Sequence, residues 1–299
     1  MPLPDQNLKA GIFFALCSAI FLSIMNIFAK ILVEDIDPIM VTFWRNAIAL
    51  SILITGFVIT RQFHFFKTTQ LKSQIFRAVI GTAGMTMAVW TFQLMPVTEG
   101  VVISFASPLF VVLLSYPILR ERVGIYRIGA TLFGLLGIVI IVGFDASNLT
   151  TKGIIVAMTW AFLNGLVLIM LRQLGKKDHA LTTTFYFLFV GLLLTGSYIP
   201  FADNVIPSTQ SLLWTAVGIG IVGVISLFVK TESFRHAPAS VLAPLAYTIL
   251  LWSAFFDYVI WNHVASKGIW IGAGIIIFSN LFILWREHRL SKRDKIPQV

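Results

Sequence analysis

Apolar residues run along this chain in stretches of about 18 or more, each followed by a short polar break. That pattern predicts helices long enough to cross a hydrocarbon layer of ~30 Å. Ten such spans are expected, roughly over 10–32, 39–60, 75–94, 98–119 and 124–143, then 153–174, 181–200, 211–230, 238–261 and 269–285. Closed barrels also span bilayers, but their ~10-residue strands alternate apolar and polar positions, and no such alternation is present.

One stretch returns. Pro96 to Glu121, PVTEGVVISFASPLFVVLLSYPILRE, recurs 142 residues later as Pro238 to His263, PASVLAPLAYTILLWSAFFDYVIWNH. Both open on proline and carry a hydroxyl two places on, Thr98 and Ser240. The same offset pairs Gly11 with Gly153, Ala15 with Ala157, Ala19 with Ala161, Leu32 with Leu174 and Gly81 with Gly223, and it sets Lys30 on Arg172. A constant shift across distant points marks a duplicated half, dividing the chain into 1–148 and 149–299, the second ending in a short basic tail. Five spans per half is an odd number, so two copies with the same chain direction cross the bilayer in opposite senses. Inverted repeats of this kind recur in secondary carriers, whose solute site lies near the midplane between the copies. The expected fold class is an all-α membrane protein of ten transmembrane helices in two inverted-topology five-helix repeats.

Composition sharpens this. Of 299 residues, 58% are hydrophobic and 12% charged, about half the charge of a typical soluble domain. The net charge of +9 would point to nucleic acid in a soluble chain, but here 18 of the 22 Lys and Arg flank spans on one side and only Lys30, Lys152 and Lys267 lie on the other. The positive-inside rule then places both termini in the cytoplasm and makes nucleic acid an unexpected partner. Cys17 stands alone, so no internal disulfide forms. The start of the chain lacks the basic, short-apolar and small-residue order of a cleaved signal, and the first span is expected to be retained.

The segments PVTEGVVISFASPLF, LRERVGIYRIG, SVLAPLAYTILLW and WIGAGIII resemble the EamA branch of the drug/metabolite transporter superfamily. The resemblance covers nearly the whole chain and implies two repeats of five spans. In that family the fourth span of each repeat ends in a Gly-Glu step before a glycine-containing fifth span. Here Arg120-Glu121 precedes Gly129 and keeps the glutamate, whereas Asn262-His263 precedes Gly272 and loses it. The family's second-span arginine matches Arg45. Within the family, the PVT, VISF, PLF and SV-AP segments are most similar to bacterial S-adenosylmethionine uptake carriers, although Leu245 and Ala246 stand where those carriers typically have an aromatic and a polar or basic residue. Other members move amino acids, nucleosides and metallophores, and a shared fold does not choose among them.

Ionisable groups inside spans are costly and become site candidates. Arg45, Glu99 and Asp257 all fall in the outer third of their spans. A charge pair of Arg45 with Asp257 or Glu99 is expected either to hold an external gate or to contact a zwitterionic solute. The milder alternative is that each side chain snorkels to the interface. Proton coupling would need Asp257 or Glu99 to titrate as access alternates. Ser104, Ser107, Pro108, Val111 and Ser115 share one face of the fourth span, and Ser240, Pro244, Tyr247 and Leu251 share one face of the ninth. Trp90, Trp160 and Trp252 lie deep, and a deep indole N–H needs a partner. The expected solute wall is Asn26, Trp90, Ser104, Ser107, Trp160, Asn164, Tyr247 and Trp252. Gly81 with Gly84 and Gly223 with Ser226 read as close-packing positions.

No HExxH, GxSxG or Walker loop occurs, and the five histidines are scattered. No catalytic residue, metal or cofactor is therefore expected. The reading is a carrier of a small organic metabolite (an amino acid, S-adenosylmethionine or a related solute), monomeric or homodimeric, with the lipid bilayer and that solute as its partners. The alternatives are an intramembrane lipid-modifying enzyme, which would want clustered His, Asp or Cys at one face, and a lipid flippase.

Overall fold

The computed structural model describes residues 8–119, 125–144, 149–174, 178–237 and 239–293. Among these residues, helices account for all the long elements: α1 (Leu8–Val33), α2 (Pro38–Ile59), α3 (Leu71–Leu94), α4 (Val97–Ser104), α5 (Ser107–Leu119), α6 (Ile125–Phe144), α7 (Thr151–Leu174), α8 (Ala180–Gly196), α9 (Gln210–His236), α10 (Ala239–Ala246), α11 (Ile249–Trp261) and α12 (Lys267–Arg293). Among the described residues nine stretches are long and apolar enough to cross a membrane, and α6 adds a shorter apolar segment, Ile128–Ile141. The exterior is an apolar belt, with Phe228 and Phe278 each 64% exposed, as a chain facing hydrocarbon requires.

The fourth and ninth expected spans are not continuous helices. Each is broken once, after Ser104 and after Ala246, and restarts at Ser107 and Ile249. These positions obey the same offset as the sequence repeat. Proline contributes differently in the two copies. Pro108 has no N–H to give the Ser104 carbonyl, and the Ser107 hydroxyl donates to that carbonyl instead at 2.5 Å. In the second copy, Pro244 lies just before the break, and Thr248 Oγ1 donates back to the Leu245 carbonyl at 2.7 Å.

The broken helices meet. Phe105 and Tyr247 are offset mates, and their rings stack edge-on at 4.8 Å. Asn280 of α12 donates to the Phe105 carbonyl at 3.0 Å, bracing the first break. Around them Leu32, Phe92, Ile103, Leu109, Ile141, Ile219 and Ile276 form a fully buried core shared by both halves. Close approach elsewhere relies on small residues. Ser18 and Ser226 bond each other's carbonyls at 3.3 Å between α1 and α9, and a Cβ at Gly220 would collide with Ile48 of α2. Gly81, Gly84, Gly223 and Ser226 all sit at such contacts, in keeping with their expected packing role.

Candidate functional site

The polar centre of the molecule lies where α2 and α3 of the first half face α8 and α9 of the second. Arg45 of α2 and Arg77 of α3 both stand over the ring of Phe187 in α8, their Cζ atoms 5.8 and 4.5 Å from its centroid. Glycines make the room. A Cβ at Gly81 would stand 3.1 Å from the Phe187 ring, and one at Gly223 would stand 3.8 Å from Arg45 Nε. Arg45 and Phe187 are offset mates, as are Gly81 and Gly223, so the packing of Arg45 on Gly223 repeats that of Phe187 on Gly81.

Donors are in surplus here. Arg45 Nη1 donates to Asn46 Oδ1 at 3.1 Å. Arg45 Nε, Arg77 Nε and Nη1, Asn46 Nδ2 and Thr82 Oγ1 are buried with no partner. Asn46 and Thr82 both edge Gly191, where a Cβ would lie 2.7 and 2.8 Å from their polar atoms. Each unmet buried donor costs about 1–3 kcal/mol. No carboxylate lies within salt-bridge distance of either guanidinium among the described residues.

The two ends of this seam differ. Toward the α1–α2 loop it passes Thr42 and Thr86, 3.4 Å apart, and widens into a cavity of about 550 Å³ lined by Asp35, Thr86, Trp90, Gln93, Tyr198 and Asp203 among others. Its rim is tied. Asp35 accepts from the Ser208 hydroxyl at 2.6 Å and the Ser208 N–H at 2.8 Å, and these bonds, the hydroxyl's first, hold its carboxyl below the usual aspartate range. Asp37 caps α2 by accepting from Ile39 N at 2.8 Å, and Trp44 Nε1 donates to the Val205 carbonyl at 2.9 Å.

Toward the α2–α3 loop the seam is filled. Phe57 packs on Phe65 and Phe66, and Phe66 on Phe185, with ring separations between 4.8 and 5.4 Å. Asp178 accepts from Thr68 at 2.5 Å and Gln74 at 2.7 Å, and Gln74 also donates to Thr183 at 3.1 Å.

A second polar centre clamps the corner between α3 and α4. Lys30 Nζ donates to the Phe92 and Met95 carbonyls, 3.1 Å each, at the end of α3. Asp257 of α11 accepts from Thr98 N and Thr98 Oγ1, 2.7 Å each, at the start of α4. A cation on a helix C-terminus and an anion on the next N-terminus complement both sets of free backbone groups. Asn262, in the left-handed conformation at φ 52°, ends α11 and turns His263 onto Glu99, with a 2.7 Å contact.

The expected charge pair is not formed in this structure. Arg45 meets neither Asp257 nor Glu99: Asp257 is held by a helix N-terminus and Glu99 by His263. Arg77 lies inside α3 and joins Arg45 over the Phe187 ring. The expected solute wall divides. Trp90 lines the cavity, with Lys152 Nζ 5.0 Å over its ring. Ser104, Ser107 and Asn164 cluster at the first break, where Asn164 Nδ2 donates to Ser107 Oγ at 3.2 Å, and Tyr247 lies at the second. Trp160 stacks edge-on with Phe92 at 5.6 Å and Trp252 with Phe255 at 6.5 Å. Asn26 is buried in α1. The break after Ala246 also interrupts the face expected to join Pro244 to Leu251. The side chains of Ser115 and Ser240, the Arg120-Glu121 step and the tail from 294 lie outside the described residues. Arg77, Asn46, Thr82, Phe187 and Lys30 are not among the site residues expected from the sequence. The available signal was Arg77's place within a predicted span.

Known proteins resemble this chain along most of its length. The model of the EamA-like transporter family matches twice, over residues 9–143 and 151–285. The chain is 28% identical over 284 residues to an S-adenosylmethionine uptake transporter of Rickettsia prowazekii, covering 93% of this chain and 94% of that one. It is 25% identical over 272 residues to a pseudopaline exporter of Pseudomonas aeruginosa, covering 90% and 94%. One solved structure superposes with a TM-score of 0.62 at 17% identity over 96% of this chain and 99% of that one, a likeness of fold.

Proposed function

Since the chain belongs to the EamA-like transporter family, we propose that it carries a small organic metabolite across the bacterial inner membrane by alternating access, through the seam of α2, α3, α8 and α9. Ten crossings, with Ile128–Ile141 at the core of the fifth, give two inverted five-helix repeats with both termini cytoplasmic. The cavity end then faces outward and the aromatic plug faces the cytoplasm. The observation that supports this reading is the asymmetry of the seam: a polar cavity at one end, interlocked phenylalanine rings at the other, and buried polar groups between. A site near mid-depth between repeats is the usual construction of secondary carriers.

No covalent chemistry is needed. The proposed work is binding, closure and release. The relatives' named solutes, S-adenosylmethionine and pseudopaline, set the first panel to test. Purified protein in proteoliposomes, preloaded with S-adenosylmethionine, amino acids or nucleosides, should show counterflow of at least one labelled solute. Counterflow of none, with lipid scrambling instead, would replace the carrier with the flippase.

A further inference from the structure

Resting on the carrier reading, we infer that the solute binds through a carboxylate held between Arg45 and Arg77, with Asn46 and Thr82 as flanking donors. The two guanidiniums converge on Phe187 from α2 and α3. Arg45 lies ~10 Å along α2 from the cavity end and Arg77 ~9 Å along α3 from the opposite end, at 1.5 Å per residue, so the two residues straddle mid-depth and turn their guanidiniums toward the same ring. Their Nε atoms, one Arg77 Nη and the neighbouring amide and hydroxyl are all sealed from solvent without an acceptor. A protein that needed these cations for packing alone would supply a carboxylate, because an unmatched buried charge is expensive. Here the acceptor is missing from the described protein groups, and a guanidinium fork matches a carboxylate's two oxygens.

The approach to the site fixes the rest of the solute. The cavity above is acidic, with Glu34, Asp35, Asp37 and Asp203 on its lining. It disfavours a simple anion and suits a solute that also bears a cationic group. The carboxylate passes inward along Thr86 and Thr42 to the arginines, while the cation stays toward the cavity carboxylates. The class of solute is therefore a zwitterion oriented carboxylate-inward, an amino acid or amino-acid conjugate.

The test uses matched pairs that differ in the carboxylate: S-adenosylmethionine and its decarboxylated form, tryptophan and tryptamine, methionine and methioninol. Thermal unfolding of the purified full chain is followed with each solute, for wild type, Arg45→Gln, Arg77→Gln and Arg77→Lys. The carboxylate member of at least one pair should bind at least tenfold more tightly to wild type, and each Gln variant should erase that preference. Arg77→Lys should restore part of it, and solute-free Gln variants should unfold no earlier than wild type. The inference is overturned if no carboxylate member shifts unfolding, if the decarboxylated partner binds as well, or if the Gln variants unfold earlier yet keep the preference. Counterflow in the same proteoliposomes separates the two readings. Flux without carboxylate preference removes only this inference, and carboxylate-selective binding without flux removes the carrier.

Discussion

The two ends of the α2–α3–α8 seam are built from the same three helices and yet behave oppositely. At one end Asp35, Asp203, Gln93 and Trp90 border open space. At the other, four phenylalanines interlock and Asp178 gathers Thr68 and Gln74. The open end has polar groups that water can satisfy, whereas the closed end satisfies its polar groups internally and fills the remainder with rings. Such closure depends on a few side chains and one carboxylate network, so it can be undone without unfolding a helix. The rim at the open end has the parts to close as well, because Asp35–Ser208 and Trp44–Val205 already tether the facing loops.

The largest effect should come from fixing the closed end. With Cys17→Ser removing the native thiol, Thr68→Cys joined to Asp178→Cys by a short bifunctional reagent should abolish counterflow, and a cleavable linker should restore it on reduction. Full cross-linking with undiminished flux would break the comparison. Next is the corner clamp. Asp257→Ala leaves the Thr98 N–H and hydroxyl without their acceptor and should lower stability by about 3–5 kcal/mol, the scale for stripping one partner from a buried charged contact. Unfolding in detergent measures it. Asp257→Asn should cost less, because an amide oxygen still accepts.

Smaller effects sharpen the middle of the seam. Gly220→Val forces α9 off Ile48 and should cost about 1–3 kcal/mol of overpacking. Gly56→Ala has nothing within 4 Å of the new Cβ and should stay within about 0.5 kcal/mol of wild type. The smallest effect is at the rim. Since Asp35 is held below its ordinary value of 3.8 by Ser208, its contribution is fully present above that value and is lost as pH falls through the lowered one. Loop spectra at the rim should therefore be flat near neutrality and change only in acid below the usual aspartate range, and Asp35→Asn should remove that acid step.

Much of the fold was legible because the duplication wrote it twice. The offset seen between Pro96 and Pro238 also locates both helix breaks and the contact of Phe105 with Tyr247. The breaks themselves were hidden, because an apolar run reads the same whether its hydrogen-bond ladder is continuous or interrupted. The two prolines, Pro108 and Pro244, are not offset mates, so neither marked a shared break. At the site, Arg45 and Asp257 stood out as ionised groups in spans, but their partners did not. Asp257 meets backbone N–H groups freed by the start of α4, which no pattern of charges displays. Arg77 was masked by the basic loop before it, and its company with Arg45 depends on Phe187, distant in sequence and apolar.

Spin-label distances at both ends, measured together in liposomes, test the account most directly. Labels at Glu34 and Asn204 bridge the cavity, and labels at Lys67 and His179 bridge the stoppered end. Under conditions of measurable counterflow, two populations are expected, with the cavity pair shortening as the plug pair lengthens. A plug pair that keeps one short distance while solute is moving would contradict it.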